Sequence, residues 1–465
     1  TAEIRDCHAK FSNGDSAYGS GISDNGRAFQ ISGNVRITGC TTDGGKADAV
    51  IMNTGSVISG GTFDGSVLNY GTISGGTFNG KVVNDYKITD GTFNGDVVND
   101  DGATISGGTF NGMVTNYGTI TKGAVSGVTL TYQLNGEDYA TQIVQSGNAA
   151  TPIYPFIDAG QVFEGWLKAD GTRWDFTTAV TENITLTGWV YVPVTNETEL
   201  KAALAKYTVD IIRLTDDIDI SASLTILRKV TLDLNGHVLK MTGSGSVIIL
   251  HEDKNSTTTG DLTIIDSDPT AEHKFKVNGV EPWVLDDSGT ETVRGGVITG
   301  GTGTKIFNVN FLEGGGVNIG GGALTMNGGN IVGCIAQYGG GLYLCQGSFT
   351  MNGGSIVGCS STSRAAGEPI SSGIHCTGSN VYKQKPNVIT LTGGLIKNNG
   401  RYDINAIYNT IIYANGGEIY GKVGVYQACK ITGLAGKTGI TAFRGWTVIE
   451  GASNIPENIS HVDWG

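Results

Sequence analysis

Apolar residues recur at every fifth position between residues 58 and 98 of the chain. The series is Ile58, Phe63, Leu68, Ile73, Phe78, Val83, Ile88, Phe93 and Val98. A spacing of five matches neither an α-helix nor a flat, half-buried strand. It suits a chain that turns a corner after each short side and points one side chain inward per side. We therefore expect a solenoid of triangular cross-section with 15-residue coils, stacked about 4.8 Å apart.

The hexapeptide GGTFNG marks each coil. It occurs at 75–80 and 107–112, with the variants GGTFDG at 60–65 and DGTFNG at 90–95. The phenylalanines of these four copies are 15, 15 and 17 residues apart, so the last interval holds a two-residue insertion, which predicts a bulged corner. An asparagine follows the next apolar run of each coil, where we expect a structural ladder of amide hydrogen bonds rather than a catalytic role. These asparagines are Asn53, Asn69, Asn84, Asn99 and Asn116.

Residues 128–192 interrupt the repeat with strand-like runs around a proline-containing loop and a small aromatic core. The segments FEGW, WDF and VTENITL and the closing GW resemble the Listeria-Bacteroides repeat, a β-grasp-like module also called the internalin B-repeat. The usual AKW ending of that family reads TGW in this chain. The resemblance implies an extracellular surface protein, in which such modules serve as spacers or weak interaction units, and it implies no enzyme activity.

A short amphipathic helix opens the third segment, in TNETELKAALAKY, where Asn196 can cap the helix and Glu199 can reach back. The strand-like runs DIIRL, IDI, LTI and VTLDLNGHVL follow. This order resembles the start of a pectate-lyase-like right-handed β-helix, in which a helix plugs the open end of the core. The distances from Met326 to Met351 and from Cys334 to Cys359 are both 25 residues, which indicates a wider coil.

Together these patterns predict an all-β protein: a right-handed parallel β-helix or solenoid in two parts with an intervening small β-grasp-like module. The expected domains are a narrow solenoid at 1–126, the module at 127–192, and a helix-capped β-helix at 193–465. Residues 267–295 lose the repeat and gain charge, so we expect an inserted loop or hairpin there.

Composition narrows the classes of partner. The formal net charge of -13 argues against nucleic acid or an anionic membrane surface. No apolar stretch approaches about 18 residues, so direct membrane insertion is not expected. The chain lacks an initial Met and a signal peptide, so we expect an extracellular piece of a longer precursor, attached to the cell surface through segments outside this chain.

The seven cysteines form no CxxC and no metal-ligand spacing, so neither a metal site nor a cofactor is expected. They are Cys7, Cys40, Cys334, Cys345, Cys359, Cys376 and Cys429. Cys334 and Cys359 should lie on adjacent coils, as a ladder of buried thiols in preference to a disulfide. A Cys7–Cys40 pairing stays open.

An enzyme would need paired carboxylates, or clustered carboxylates for calcium with a base. Candidate acids are Asp216, Asp217, Asp219, Asp266, Asp268, Asp286 and Asp287. None shares a repeat register with a basic partner, and His237 in LDLNGH is interpreted as part of a structural turn. We therefore assign no catalytic residue.

The candidate binding residues are Tyr70, Tyr86 and Tyr117, which follow the ladder asparagines at a corner where we expect exposed side chains nearly in line. A structural role, in which these tyrosines only cover the turn, is the alternative. The favoured function is a monomeric cell-surface adhesin of a gut or mucosal bacterium that binds a host mucin, glycan or immunoglobulin. The alternatives are a carbohydrate-active lyase or hydrolase on the C-terminal β-helix, and a passive surface stalk.

Overall fold

The computed structural model describes backbone and side chains over residues 50–251, 259–277, 282–305, 311–362, 373–377, 386–400, 402–406, 409–421 and 423–424. It also describes the backbone of short strands at 2–5, 8–9, 29–31, 35–38, 41–42, 48–49, 407, 425, 430–432, 440–442 and 448–449. Cys7, Cys40 and Cys429 lie outside the described residues. The chain divides into two compact units, one of residues 1–158 and 163–190, the other of residues 159–162 and 191–465.

The first unit begins as a solenoid whose coils pair in parallel in two sheets. The strands of the first sheet are Ala2–Arg5, His8–Ala9, Val35–Thr38, Thr41–Thr42, Val57–Phe63, Thr72–Phe78, Lys87–Phe93, Thr104–Ile105, Thr109–Phe110 and Thr119–Ile120. The solenoid strands of the second sheet are Phe29–Ile31, Asp48–Met52, Ser66–Asn69, Val82–Asn84, Val97–Asn99 and Val114–Asn116.

The hexapeptide repeat is explained by a glycine corner and a stacked ring. Two of the three expected sides form one continuous strand, Thr72–Phe78, whose pairing register shifts between Ile73 and Thr77. Gly76 lies at this shift with a φ of 113°, a left-handed conformation that favours glycine. Phe78 then points inward and stacks between Phe63 and Phe93, with ring centroids 5.1 and 4.9 Å apart. A Cβ at Gly80 would lie 2.4 Å from the Gly65 carbonyl oxygen, which is why each copy ends in glycine.

The predicted five-residue period is wrong for one of the three inward positions of each coil. Leu68, Val83 and Val98 are only partly buried, whereas Val67, Val82 and Val97 are buried in the solenoid core. The strand Val82–Asn84 alternates, so Val82 and Asn84 point inward and Val83 points outward. The sequence does not show this register, because two adjacent valines fit either face of the strand. The second inward residue, Asn84, is polar and so does not look like a core position.

Four of the five asparagines predicted to form a ladder do so inside the solenoid, whereas Asn53 lies one residue beyond the ladder position, which Met52 occupies opposite Asn69. Asn69 donates from Nδ2 to Oδ1 of Asn84 at 2.6 Å, Asn84 donates to Asn99 at 2.6 Å, and Asn99 donates to Asn116 at 2.7 Å. The amide of Asn69 also accepts the backbone N–H of Gly71, so the ladder fixes the turn that follows it. The ladder therefore satisfies buried polar groups at the corner of each coil.

The module that follows the solenoid shares the second sheet with it. Its strands Val128–Leu134, Glu137–Val144 and Ile184–Gly188 extend that sheet, and a short strand Val162–Phe163 lies between them in sequence. Glu137–Val144 pairs antiparallel with the solenoid strand Val114–Asn116. Tyr132 and Trp166 form the centre of the module core, with ring centroids 4.9 Å apart.

The second unit is a parallel β-helix with three sheets. One sheet contains Val162–Phe163, Val190–Val194, Ile211–Leu214, Lys229–Asp233, Asp261–Ile265, Ala323–Met326, Ser348–Met351, Asn387–Leu391, Thr410–Ala414, Lys430–Thr432 and Val448–Ile449. The second contains Ile218–Ile220, Val238–Met241, Val297–Thr299, Asn330–Val332, Ser355–Val357, Leu395–Lys397 and Glu418–Ile419. The third contains Leu224–Ile226, Ile248–His251, Val317–Gly320, Leu342–Cys345, Ile374–Thr377, Ile404–Ile407, Val423–Val425 and Ile440–Ala442. A further pair is Ile335–Ala336 with Ser360–Ser361.

The helix Glu197–Ala205 is capped at both ends. Asn196 Oδ1 accepts the backbone N–H of Glu199 at 3.0 Å, while the Glu199 carboxylate accepts the N–H of Thr195 at 2.8 Å. Leu200 and Ala203 are buried against the β-helix core. The Arg228 guanidinium donates to the carbonyl oxygens of Ala203 and Leu204, which end the helix. These contacts satisfy terminal backbone groups that a helix cannot satisfy by itself.

The 25-residue repeat pairs Met326 with Met351 in adjacent strands of the β-helix. Cys334 and Cys359 are buried free thiols, and burial together with the neighbouring thiol raises the pKa of Cys359. The strands Val284–Leu285, Glu272–Lys276 and Glu291–Arg294 form a separate antiparallel sheet. Its Phe275 and Trp283 cover outward-facing valines of the second β-helix sheet.

Candidate functional site

Tyr70 and Tyr117 occupy the same place in two solenoid coils that are separated by two others. Each follows a ladder asparagine, and its backbone N–H donates to the preceding coil, Tyr70 to Met52 at 2.9 Å and Tyr117 to Asn99 at 2.8 Å. Asp85 and Asp100 hold this place in the two coils between them, and their backbone N–H groups donate to the backbone carbonyl oxygens of Asn69 and Asn84. The corner is therefore a column of tyrosine, aspartate, aspartate and tyrosine, with Tyr86 one residue beyond Asp85.

The three predicted tyrosines differ in exposure. Tyr70 is 39 % exposed and Tyr86 is 54 % exposed, as expected for corner residues. Tyr117 is half-buried instead, because its ring packs edge-on against Tyr139 of the module at 5.7 Å. Burial also raises the pKa of Tyr117, with a smaller effect from Tyr139. The expectation that Tyr117 is exposed is wrong, because the sequence did not indicate that the module would pack there.

The corner combines carboxylates with aromatic faces. Partial burial raises the pKa of Asp100, and the neighbouring Asp85 raises it further while Lys81 opposes the shift. Leu68 and Val83 point outward on the adjoining strands and are partly exposed. Aromatic rings beside carboxylates attract cationic and hydrogen-bond-donating groups, and the aliphatic side chains add apolar contact area.

A second ladder, exposed and missed in the sequence, runs beside the phenylalanine stack. Asn79 donates to Asp64, Asn94 donates to Asn79 at 2.7 Å, and Asn111 donates to Asn94 at 2.8 Å. Its signal was the residue after each repeated phenylalanine, always Asn or Asp. The ladder presents amide groups to solvent at the coil repeat, a surface that can hydrogen-bond to hydroxyl groups.

Among the described residues of the first unit, the most exposed aromatic side chains lie in the module. Tyr154 is 71 % exposed and Phe156 is 90 % exposed, in a loop that also contains Pro152 and Pro155. The residue before Tyr154 is held in place, because Trp166 donates a hydrogen bond of 2.7 Å from Nε1 to the carbonyl oxygen of Ile153. The prolines predict a loop at this place in the sequence, whereas no sequence pattern marks its aromatic side chains as exposed.

The candidate acids of the second unit serve local structure. Asp217 contacts His237 at 3.3 Å, and Asp286 pairs with Lys276 at 2.7 Å, which lowers the pKa of Asp286. Asp266 accepts the backbone N–H groups of Gly236 and Gly296, both at 2.8 Å, although burial raises its pKa. Asp219 is the exposed middle residue of the strand Ile218–Ile220, and Asp216 is exposed in the turn before it. Within the ranges that the structure describes, no group of three His, Cys, Asp or Glu residues could hold a metal ion.

Glu313 is a buried carboxyl group that sequence reasoning did not single out. It is 4 % exposed, burial raises its pKa to about 7, and its Oε2 has no hydrogen-bond partner among the described residues. The outward sides of the third sheet place Asn318, Tyr343, His375 and Asn405 in one buried row nearby. Tyr343 and His375 stack at 5.8 Å, and burial lowers the pKa of His375 to about 3.

Two segments of the chain match known protein families. Residues 129–187 match the Listeria-Bacteroides repeat domain. Residues 191–336 match the family described as "Putative pectate lyase-like adhesive domain". Both resemblances read from the sequence are thus confirmed, as is the all-β architecture of solenoid and β-helix. No curated protein and no solved structure matches the chain significantly.

These matches indicate a surface or extracellular protein with an adhesive domain. In the part of the chain that the structure describes, no helix is both long and apolar enough to cross a membrane.

Proposed function

We propose that the protein is a bacterial cell-surface adhesin that binds a host component, a mucin, a glycan or an immunoglobulin, through the faces of its solenoid. It works outside the cell, as a monomer, attached by segments beyond this chain. The observation that carries this proposal is the corner at which Tyr70 and Tyr86 are exposed beside Asp85 and Asp100. The adhesive-domain match supports the same class of function.

The corner favours particular chemistry in the partner. Carboxylates at Asp85 and Asp100 repel anionic groups, and the whole chain is acidic. Tyrosine rings offer large contact area at small entropic cost and can stack on sugar rings or on cationic side chains. A protein surface with lysine or arginine, or a neutral glycan, therefore fits better than a polyanionic one.

The test is a binding screen of the purified chain against mucins, immunoglobulins and neutral and acidic glycans, with released sugars measured in the same wells. The double variant Tyr70→Ala/Tyr86→Ala should weaken binding of any retained partner by about 10-fold or more, as for exposed aromatic hot spots. Tyr420→Ala is the control, because Tyr420 is 69 % exposed, more than either corner tyrosine, but lies in the β-helix. Tyr117→Ala is measured separately, since it also removes packing against Tyr139.

Other outcomes select the alternatives. Released oligosaccharides would contradict the adhesin proposal and favour a lyase or hydrolase on the β-helix. Retention of no component of the panel would favour a passive stalk. Unchanged affinity of the double variant for a retained partner would remove the tyrosine corner from the proposal while keeping the adhesin.

A further inference from the structure

The last coil of the narrow solenoid has no following coil to cover its core or to pair with its strands. A stack of parallel coils ends in an open apolar core and in strands whose outer N–H and C=O groups have no following coil to pair with. Repeat proteins need an atypical terminal element at such an end. In this chain the last coil contains the strand Val114–Asn116, and residues of the module directly follow it in the sheet.

The module strand Glu137–Val144 pairs antiparallel with Val114–Asn116, and this change of direction ends the parallel repeat. Val114 lies opposite Ile143 and Asn116 lies opposite Thr141, in an antiparallel arrangement. All solenoid coils before it pair in parallel. The other edge of the module strand is already occupied by Val128–Leu134, so the module accepts the solenoid edge and offers no further coil.

Side chains of the module satisfy the groups that the missing coil would have satisfied. Gln145 donates from Nε2 to the carbonyl oxygen of Phe110 at 3.0 Å, at the end of the phenylalanine stack. Gln142, which is fully buried, donates from Nε2 to Thr115 Oγ1 at 3.1 Å. At the end of the asparagine ladder, Asn116 donates to Gly118 and contacts Thr141 Oγ1 at 3.5 Å.

Apolar contacts close both faces of the shared sheet. Ile143 packs against the solenoid core, on the side of Val114. Met113 and Tyr117 of the last coil pack on the opposite side, against the module core around Trp166. The module is therefore joined to the solenoid by a continuous sheet and by two apolar contacts, which is more than a spacer requires.

We infer that the Listeria-Bacteroides repeat of this chain acts as the C-terminal cap of the solenoid. It covers the end of the solenoid core with Ile143, blocks pairing of the strand Val114–Asn116 with the strand edge of a second copy, and unfolds together with the coils it covers. This role goes beyond the binding function proposed above and does not depend on it.

Hydrogen exchange of the full chain in rising urea tests the inference directly. Peptides that cover Val97–Asn99 and Val114–Asn116 should lose protection at the same urea concentration as peptides that cover Glu137–Val144, because one cooperative unit opens as a whole. Full exchange of the module while the last solenoid coils stay protected would overturn the inference. This measurement needs no variant, so it decides the question even if a variant fails to fold.

Ile143→Asp adds a charge at the junction and should reduce protection of Val114–Asn116 by about 10-fold or more, with concentration-dependent dimers in light scattering. Thr185→Asp is the matched control, because Thr185 is exposed on a module strand away from the solenoid. It should leave both measurements unchanged. Equal effects of the two substitutions, or loss of protection in the module alone, would contradict a capping role.

Discussion

Asn84 donates a hydrogen bond of 2.6 Å to Asn99, and both side chains are completely buried inside the solenoid. Asn84 at the same time accepts from Asn69 at 2.6 Å. Each amide in the ladder thus satisfies the next, and the polar row persists in an apolar core because no member lacks a partner. A buried ladder of this kind is stable only as long as it is unbroken.

Asn84→Ala should therefore lower the free energy of unfolding by about 2–4 kcal/mol, because it leaves buried polar groups of Asn69 and Asn99 without their partner. Urea denaturation of the full chain, followed by hydrogen exchange in the solenoid, measures the effect. Asn79→Ala is a matched control, since Asn79 belongs to the exposed ladder, where water replaces a lost amide. We expect it to cost less than about 1 kcal/mol. Similar losses for both variants would contradict a special role of the buried ladder.

Much of the first unit could be predicted from the sequence because its repeat is short and nearly exact. The regular recurrence of Phe78 and Asn84 in neighbouring repeats predicted the length of the coil and the corner at which the asparagine ladder forms. The sequence did not distinguish Val82 from Val83, since adjacent valines fit both faces of a strand and an inward asparagine looks polar. It also could not show that Tyr117 is covered, because that contact joins segments that share no repeat.

In the second unit, local signals again predicted more than long-range ones. The cap at Asn196 was evident from its spacing to Glu199, and the 25-residue pairing was evident from Met326 and Met351. Burial of Glu313 could not be predicted, because a single glutamate before three glycines is typical of a loop. Burial of an ionisable group depends on how distant coils cover it, and composition carries no record of that.

Gly358 contacts Trp283 where the antiparallel sheet that contains Glu272–Lys276 and Glu291–Arg294 packs against the β-helix. A Cβ there would lie 2.1 Å from Cγ of Trp283, and the Gly358 carbonyl accepts the N–H of Trp283 at 2.8 Å. Gly358→Ala should displace Trp283 and expose the valines beneath, with a loss of about 2–4 kcal/mol. Faster proteolysis within residues 272–294 is the diagnostic measurement.

The matched control for the contact between Trp283 and Gly358 is Ser288→Ala, at an exposed turn of the same sheet where the Ser288 hydroxyl donates to Asp286. It should leave the rate of proteolysis within about twofold of the unmodified chain. An unchanged rate for Gly358→Ala would show that Trp283 does not hold the hairpin in place.

Arg213 and Asp233 form a buried ion pair of 2.6 Å, and the guanidinium also lies 3.9 Å from the centre of the Tyr191 ring. Arg213→Ala leaves the Asp233 carboxylate buried without its cation, so we expect a loss of about 3–5 kcal/mol. Arg294→Ala breaks a similar pair with Glu272 at 2.7 Å, but on the surface, and should cost about 1 kcal/mol or less. Thermal and urea unfolding of both variants would distinguish the two cases, and equal losses would contradict the effect of burial.

Glu313 and His375 make opposite contributions to the pH dependence of stability. Burial raises the pKa of Glu313 from 4.5 to about 7, so its carboxyl is protonated in the folded chain where the unfolded chain has already lost the proton. Stability associated with this group is complete below about pH 4.5 and is lost as pH rises to about 7. The pKa of His375 falls from 6.5 to about 3, so its contribution is complete above pH 6.5 and is lost as pH falls.

Glu313→Gln keeps the shape of the side chain and removes its titration. The variant should gain unfolding free energy relative to the unmodified chain as pH rises from about 4 to about 8, by about 3 kcal/mol at most. Tyr343 contacts the carboxyl group of Glu313. It stays neutral throughout this pH range, because burial raises its pKa above the usual value of 10. The exposed Glu291→Gln is the control and should follow the unmodified chain at every pH. A difference between Glu313→Gln and the unmodified chain that stays constant with pH would contradict burial of an ionisable Glu313.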